Sequence, residues 1–468
     1  MKALVKNNNQ IENSIKTGWW FGFFWLAIFI IAISVLALNF DILRLALPFV
    51  FFLIFLVIPE EYGLYVLAFF LPTINWNFYY HGLEIPLIDL LGLAIFSAFA
   101  LKKVYARFFD RKNFNLRLPL FILFLPFLAV TLISVFSTAI PKDSLWYILR
   151  WILFFYFVYL VLPVNIVKRS DVLKNSIACL VFGGMIVAIG GFLTIFSQDW
   201  NYEFVGIMPF SLFGFFPLGS NHNLIAETLV VSVAFTQSLK YWLTSLRTRR
   251  FLDVLTVFQF LVAIGTFSRA VWIAFGVMII ICLIVYRRRI SRTAWVGLFL
   301  ISLLASPIFL YMYKLQSEYS IGGSSTENRL IMTEIAWDNF LDKPLFGQGS
   351  GTFINFIGDS IRFTAKYGAP LDSHGVWQKM ILENGLFGVF TFALIIGGMF
   401  IFFARAWVKY GARYPWFPPL ILGVVGIMVM EFFNTSYYKG KLWLPVAFCL
   451  VAINIIRMKE KQRKYAKK

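Results

Sequence analysis

Charge is scarce in this chain, and so are histidine and cysteine. Only 14% of the 468 residues are charged, while 60% are hydrophobic. Soluble domains run near roughly 25% and 45–50% in those classes, so an ordinary soluble fold is excluded. The three cysteines, Cys179, Cys282 and Cys449, each sit inside an apolar run, which argues against a disulfide or metal framework. Of the three histidines, His81, His222 and His374, none has a second His or Cys spaced to complete a metal site around His374. The polar start MKALVKNNNQIENSIK is too long for a signal-peptide n-region. No A-x-A-like cleavage site follows it, so the first apolar helix is expected to be retained. Internal repeats, low-complexity linkers and an appended soluble domain are also missing.

What is present is a succession of uncharged runs long enough to cross a bilayer, for which about 20 residues suffice. Hydropathy predicts fourteen spans, at 18–38, 42–58, 62–74, 85–101, 118–136, 145–163, 175–197, 223–240, 251–267, 270–286, 293–311, 386–404, 416–434 and 441–457. The net charge of +19 follows the positive-inside bias, because most basic residues fall in alternate loops and the tail. With the N-terminus inside, both termini are cytoplasmic. The expected organisation is a cytoplasmic segment 1–17, a transmembrane region 18–311, a large periplasmic loop 312–385, further helices 386–457 and a basic tail 458–468. The expected fold class is all-α and polytopic, with one large external loop carrying short helices.

The stretch from Phe251 to Tyr286 has basic clusters at both ends and is too long for one crossing. It must go out and return, turning at GTFSRA, which puts Arg269 near the outer surface. A cation at that depth is a functional candidate; the alternative is snorkelling to headgroup phosphates. In the large loop, Ser324 and Glu327 fit a capping box. The helix so opened sets Arg329, Thr333 and Trp337 on one side and stops before Pro344. Arginine suits phosphate through its planar fork, although a solvated amphipathic face explains Arg329 equally well. GQGSG at 347–351 lacks the strand, helix and lysine of a nucleotide loop, so it reads as a tight turn. His374 is expected in the first turn of a helix capped by Asp372 or Ser373 and ending at Gly385. The positive end of a helix opposes the imidazolium and Asp372 favours it, which leaves the direction of any shift open. A neutral imidazole there suits a general base. His222, with Asn221, Asn223 and Glu227, either lines a polar pocket or caps its helix. Arg362 and Lys366 lie in the polar stretch before His374 and are further pocket candidates.

Four motifs appear together and in order: NHNLIAE, FSRAVWIA, NRLIMTEIAWDNFLDKPLFGQGSGTF and SHGVWQKMILENGLFG. Over roughly Asn221 to Gly388 they resemble the O-antigen ligase and O-antigen polymerase superfamily of bacterial membrane glycosyltransferases. That resemblance implies a GT-C-like fold with about twelve helices, giving an expectation of about 12–14. It also implies an undecaprenyl-pyrophosphate-linked glycan donor, transfer on the periplasmic face of the inner membrane, and neither metal nor cofactor. The acceptor would be lipid A-core for a ligase, or a second lipid-linked repeat unit for a polymerase. Arg269 and Arg329 match the pyrophosphate-binding arginines and His374 the catalytic histidine; the family more often has Asn or Ser where this chain has Gly375. From another class, a transporter or flippase would place polar groups near the midplane in repeated halves. The candidates here lie at the outer surface instead, and no nucleic acid is implied.

Overall fold

The computed structural model describes residues 41–73, 77–80, 83–111, 115–197, 206–210, 221–286, 325–433 and 437–466, with backbone alone at 41–47, 77–80, 83–85 and 325–326. Apolar runs become helices because in lipid each backbone donor and acceptor must be satisfied within the chain. In chain order these are Asp41–Val57 (α1), Glu60–Thr73 (α2), Leu87–Phe108 (α3), Phe121–Ser134 (α4), Pro141–Ile166 (α5), Ser170–Ser197 (α6), His222–Lys240 (α7), Leu246–Gly265 (α8) and Arg269–Tyr286 (α9). After them come Ser325–Asp342 (α10), Phe353–Asp359 (α11), Ile361–Tyr367 (α12), Val376–Tyr410 (α13), Phe417–Phe432 (α14) and Gly440–Tyr465 (α15). The chain is an all-α polytopic membrane protein. Five of these helices, α5, α6, α9, α13 and α15, are long and apolar enough to cross a membrane.

Each expected span within the described residues is mainly helical, although 85–101 opens on two extended residues; 18–38 and 293–311 lie outside them, as does His81. Between α2 and α3 lies a short antiparallel hairpin, Asn77–Tyr80 (β1) with Leu83–Pro86 (β2). Phe78, Tyr79 and Tyr80 favour extended backbone, and pairing with Leu83–Pro86 satisfies it.

The bundle has two chemically different ends. At one, ion pairs join the basic loops: Lys103 to Glu60 at 2.9 Å, Arg169 to Glu61 at 3.3 Å and Arg413 to Glu460 at 2.6 Å. At the other end lie the α8–α9 turn, which falls at 266–268 as the flanking basic clusters require, and the starts of α7, α13 and α15. Aromatic stacking fixes α15 in the middle. Trp443 is fully buried, with its ring 4.8 Å from that of Phe155, which in turn lies 5.0 Å from Trp151. A second apolar cluster, Ile331, Met332, Ala336, Phe353, Ile357, Phe363 and Leu382, draws α10, α11 and α12 onto the beginning of α13.

α13 is broken at Gly385, whose φ of 61° and ψ of −160° belong to a region only glycine occupies comfortably. The break deprives Leu382 and Glu383 of their helical donors and Leu386 and Phe387 of their acceptors. The preceding loop replaces all four partners. Gln348 and Gly349 donate to the carbonyls of Leu382 and Glu383 at 2.8 and 2.9 Å, and Leu386 and Phe387 donate to those of Pro344 and Leu345 at 2.8 and 3.1 Å. The contact leaves no room for side chains. A Cβ on Gly385 would lie 2.6 Å from the Leu345 oxygen, and one on Gly347 would lie 2.5 Å from the Glu383 carbonyl carbon. Gly385→Ala should therefore lose at least about 1–3 kcal/mol from backbone strain alone, read as a lowered unfolding temperature of the purified protein in detergent. A variant as stable as the parent would show that this junction does not constrain the fold.

Candidate active site

Arg329 sits in the second turn of α10, half-buried. Its carbonyl accepts from Thr333 Oγ1 at 2.7 Å and from Gln378 Nε2 of α13 at 3.1 Å, and Gln378 also donates to Thr333 Oγ1 at 2.6 Å. α10 is thus bolted to α13 immediately behind the arginine. Burial and then the charge of Arg269 draw the Arg329 guanidinium below its ordinary pKa. Arginine nevertheless keeps its proton, so two cations from segments 60 residues apart are held within reach of one another. Arg269 is the first residue of α9 and is exposed. Ser268 Oγ, Arg329 Nε, Ser373 Oγ and Gln378 Oε1 are buried with no hydrogen-bond partner among the described residues.

His374 joins this group, but not as the sequence pattern suggests. α13 begins at Val376 with Gly375 as its N-cap, so neither Asp372 nor Ser373 caps it and His374 precedes the helix. Asp372 instead bends back locally: its Oδ1 accepts from the Ser373 amide at 2.8 Å. The direction left open by the sequence is also settled. Burial first, then the charge of Arg329, lower the His374 pKa, with Asp372 opposing. The imidazole is held neutral by desolvation and a neighbouring cation rather than by the helix end. Gly375 is extended, and a Cβ there would lie 2.9 Å from Trp377 Nε1.

Below His374 is a cluster that hydropathy hides. Lys379 Nζ is 2.8 Å from both Asp372 oxygens and 3.8 Å from Glu383 Oε1, with its side chain only 4% exposed. It lies 5.1 Å from the centre of the Tyr147 ring of α5. Glu383 Oε1 also accepts from the Phe353 amide at 3.2 Å, and the next residue, Asn384, donates to Ser350 Oγ at 2.6 Å. A further buried group, Glu227 of α7 and Glu431 of α14, lies beside it, with Lys439 Nζ 3.9 Å from Glu227 Oε2. The signal is an ionisable residue in or just beside an apolar run, as in QKMILEN or MVMEFF.

Other candidates are placed differently. Arg362 pairs with Glu334 at 2.5 Å and Lys366 pairs with Glu327, fastening α12 to α10 at an exposed surface. Asn223 lies in the first turn of α7, which starts at His222, and its amide donates to Asn221 Oδ1 at 2.9 Å. The cap of that helix is Asn221, not His222. Among the described residues no group of three or more His, Cys, Asp or Glu is placed to hold a metal ion.

Residues 254–393 match the family model described as O-Antigen ligase. This supports placing the chain in the O-antigen ligase superfamily. The match covers less than a third of the chain, yet it contains Arg269, Arg329, Asp372, His374, Lys379 and Gly385. No curated protein matches the chain. The family supports a function of the O-antigen ligase or polymerase type, that is, a glycosyltransferase-type membrane enzyme acting on lipid-linked glycans.

The charge coupling is open to measurement. Arg329 lowers the His374 pKa, so removing that cation should raise it, leaving the imidazole protonated to a higher pH. In Arg329→Met, modification of the His374 peptide by diethyl pyrocarbonate, which attacks the neutral ring, should begin at higher pH than in the parent. An unchanged profile, followed by mass spectrometry, would separate the two residues electrostatically.

Proposed function

We propose that this protein is an O-antigen ligase of the bacterial inner membrane. It transfers glycan from an undecaprenyl-pyrophosphate carrier to a hydroxyl of lipid A-core, on the periplasmic face and without a metal ion. The observation that carries this reading is the meeting of Arg269, Arg329 and a neutral His374 at the end of the bundle remote from the basic loops, inside the family-matched segment. Two adjacent guanidinium groups repel each other, and an anion between them relieves that repulsion. A diphosphate has the charge and the paired oxygens that arginine forks bind. An external site has no nucleotide pool, so the activated sugar arrives on a lipid.

The roles follow from the chemistry. His374 takes the proton of the acceptor hydroxyl as its oxygen bonds to the anomeric carbon. The bond from that carbon to the pyrophosphate oxygen breaks, and undecaprenyl pyrophosphate leaves with its charge held by Arg269 and Arg329. Both termini lie in the cytoplasm, and the loop 312–385 carries the periplasmic machinery. Asp372, His222 and Asn223 flank the acceptor path. Arg362 and Lys366 act through their ion pairs, keeping α12 in place.

A purified enzyme with lipid-linked donor and lipid A-core tests this. His374→Ala and His374→Gln should both fold, bind donor and lose about 10²–10⁴-fold in transfer; near-parental turnover by the glutamine variant would remove the base assignment. Arg329→Lys should bind donor more weakly than the parent but better than Arg329→Ala, because lysine keeps the charge and loses the fork. Unchanged donor affinity in Arg329→Ala would end the phosphate assignment. If the products are instead longer lipid-linked chains with no glycan on lipid A-core, the enzyme is a polymerase. A cysteine at position 269 should react with a membrane-impermeant reagent from outside the cell; labelling from the cytoplasm would reverse the topology.

A further inference from the structure

A lysine with 4% of its side chain exposed is costly unless its charge is matched, because desolvating an ammonium takes several kcal/mol. Lys379 is matched chiefly by Asp372, at 2.8 Å to each oxygen. The same carboxylate also holds the Ser373 amide at 2.8 Å. One ion pair thereby ties the first turns of α13 to the residue that precedes His374. Glu383 at 3.8 Å and the Tyr147 ring at 5.1 Å close the remaining sides of the ammonium. Glu383 is itself anchored at the α13 break, where its carbonyl accepts from Gly349.

We infer that Lys379 is a positioning residue for the reaction: it clamps Asp372, fixes the turn that presents His374, and neutralises the carboxylate standing beside that imidazole. This rests on the assignment of His374 as the base and adds how the base is kept in place and uncharged. Without Lys379 the Asp372 anion would be free to stabilise an imidazolium at His374, which is the form that cannot accept a proton. The charged groups around this pair are Arg329 of α10, which disfavours the imidazolium, and Asp372, which favours it. Asp372 in turn acts on Lys379 of α13, Tyr147 of α5 and Lys439 ahead of α15. Lys439 lies 3.9 Å from Glu227 and is held there by another carboxylate.

The test follows two readouts on the full-length protein in detergent: diethyl pyrocarbonate modification of the His374 peptide against pH, and the pH profile of transfer. In Lys379→Met the uncovered Asp372 charge should raise the His374 pKa, moving the onset of modification to higher pH. The acid limb of transfer should move with it. Transfer at saturating donor should fall while donor affinity stays near parental, since the arginines are untouched. In Asp372→Asn/Lys379→Met, modification should return to the parental profile or below it. Modification unmoved in a monodisperse Lys379→Met protein would overturn the inference. If Lys379→Met fails to fold, Asp372→Asn alone carries the test and should move the onset to lower pH; no movement there overturns it equally. A shift in modification without a matching shift in transfer would leave the clamp standing and sink the base assignment instead.

Discussion

The four hydrogen bonds at the Gly385 break are the constraint on which the site depends. A continuous helix from Val376 to Tyr410 would spend the carbonyls of Leu382 and Glu383 on its own backbone. The loop 344–349 would then have nothing to bind. Because the helix is interrupted, it exposes two acceptors and two donors, and the loop docks on all four. That junction places Gly349 and Gly351 against Thr138 and Tyr147, where a Cβ would come within 2.5 and 2.7 Å. α10, α11 and α12 are therefore fixed to α13, α4 and α5 by backbone geometry that only glycine permits.

From this junction the site follows in sequence. Rigid attachment of α10 to α13, through Gln378, Thr333 and the Arg329 carbonyl, allows the Arg329 side chain to be held in an unfavourable place. It sits half-buried and near another cation, and both features oppose its charge. Such an arrangement persists only when the surroundings over-determine it, and such electrostatic strain concentrates at binding and catalytic sites. The same rigidity fixes Lys379 and Asp372, so the imidazole and the guanidinium are positioned by two faces of one helix.

Much of the frame was legible before any coordinates. Apolar run length and alternating basic loops located the helices and the α8–α9 turn, because bilayer thickness and backbone satisfaction leave few alternatives. Arg269, Arg329 and His374 were legible as polar residues in unusual places. The hydrogen-bonding at Gly385 was not: glycine between Asn384 and Leu386 reads equally as a helix end, and only the partner loop shows that the helix resumes. His374 was placed inside the helix rather than just before its N-cap for a related reason. Asp372 and Ser373 have good capping side chains, but the Asp372 carboxylate is claimed by Lys379, a residue seven positions on whose burial no local rule reveals. Glu383 and Glu431 were hidden likewise, and Glu227 was legible only as a pocket candidate near His222, since an isolated carboxylate announces importance but not partners.

The distribution of charge across the two ends carries the last step. Ion pairs at the basic end are partly exposed, such as Arg413 with Glu460 at 2.6 Å, and pairs of that kind contribute little, about 0–1 kcal/mol. At the opposite end a group of charges is buried, and Lys379 at 4% and Glu383 at 0% exposure are costly to leave unmatched. A fold that needed only stability would place apolar residues there, because replacing buried ion pairs with packed side chains is often neutral or stabilising. Retaining lysine, aspartate and glutamate around one imidazole and two arginines makes sense where the charges act on something else. On the proposed reading, a carrier diphosphate gathering negative charge as its sugar leaves is what such a preorganised cluster would stabilise.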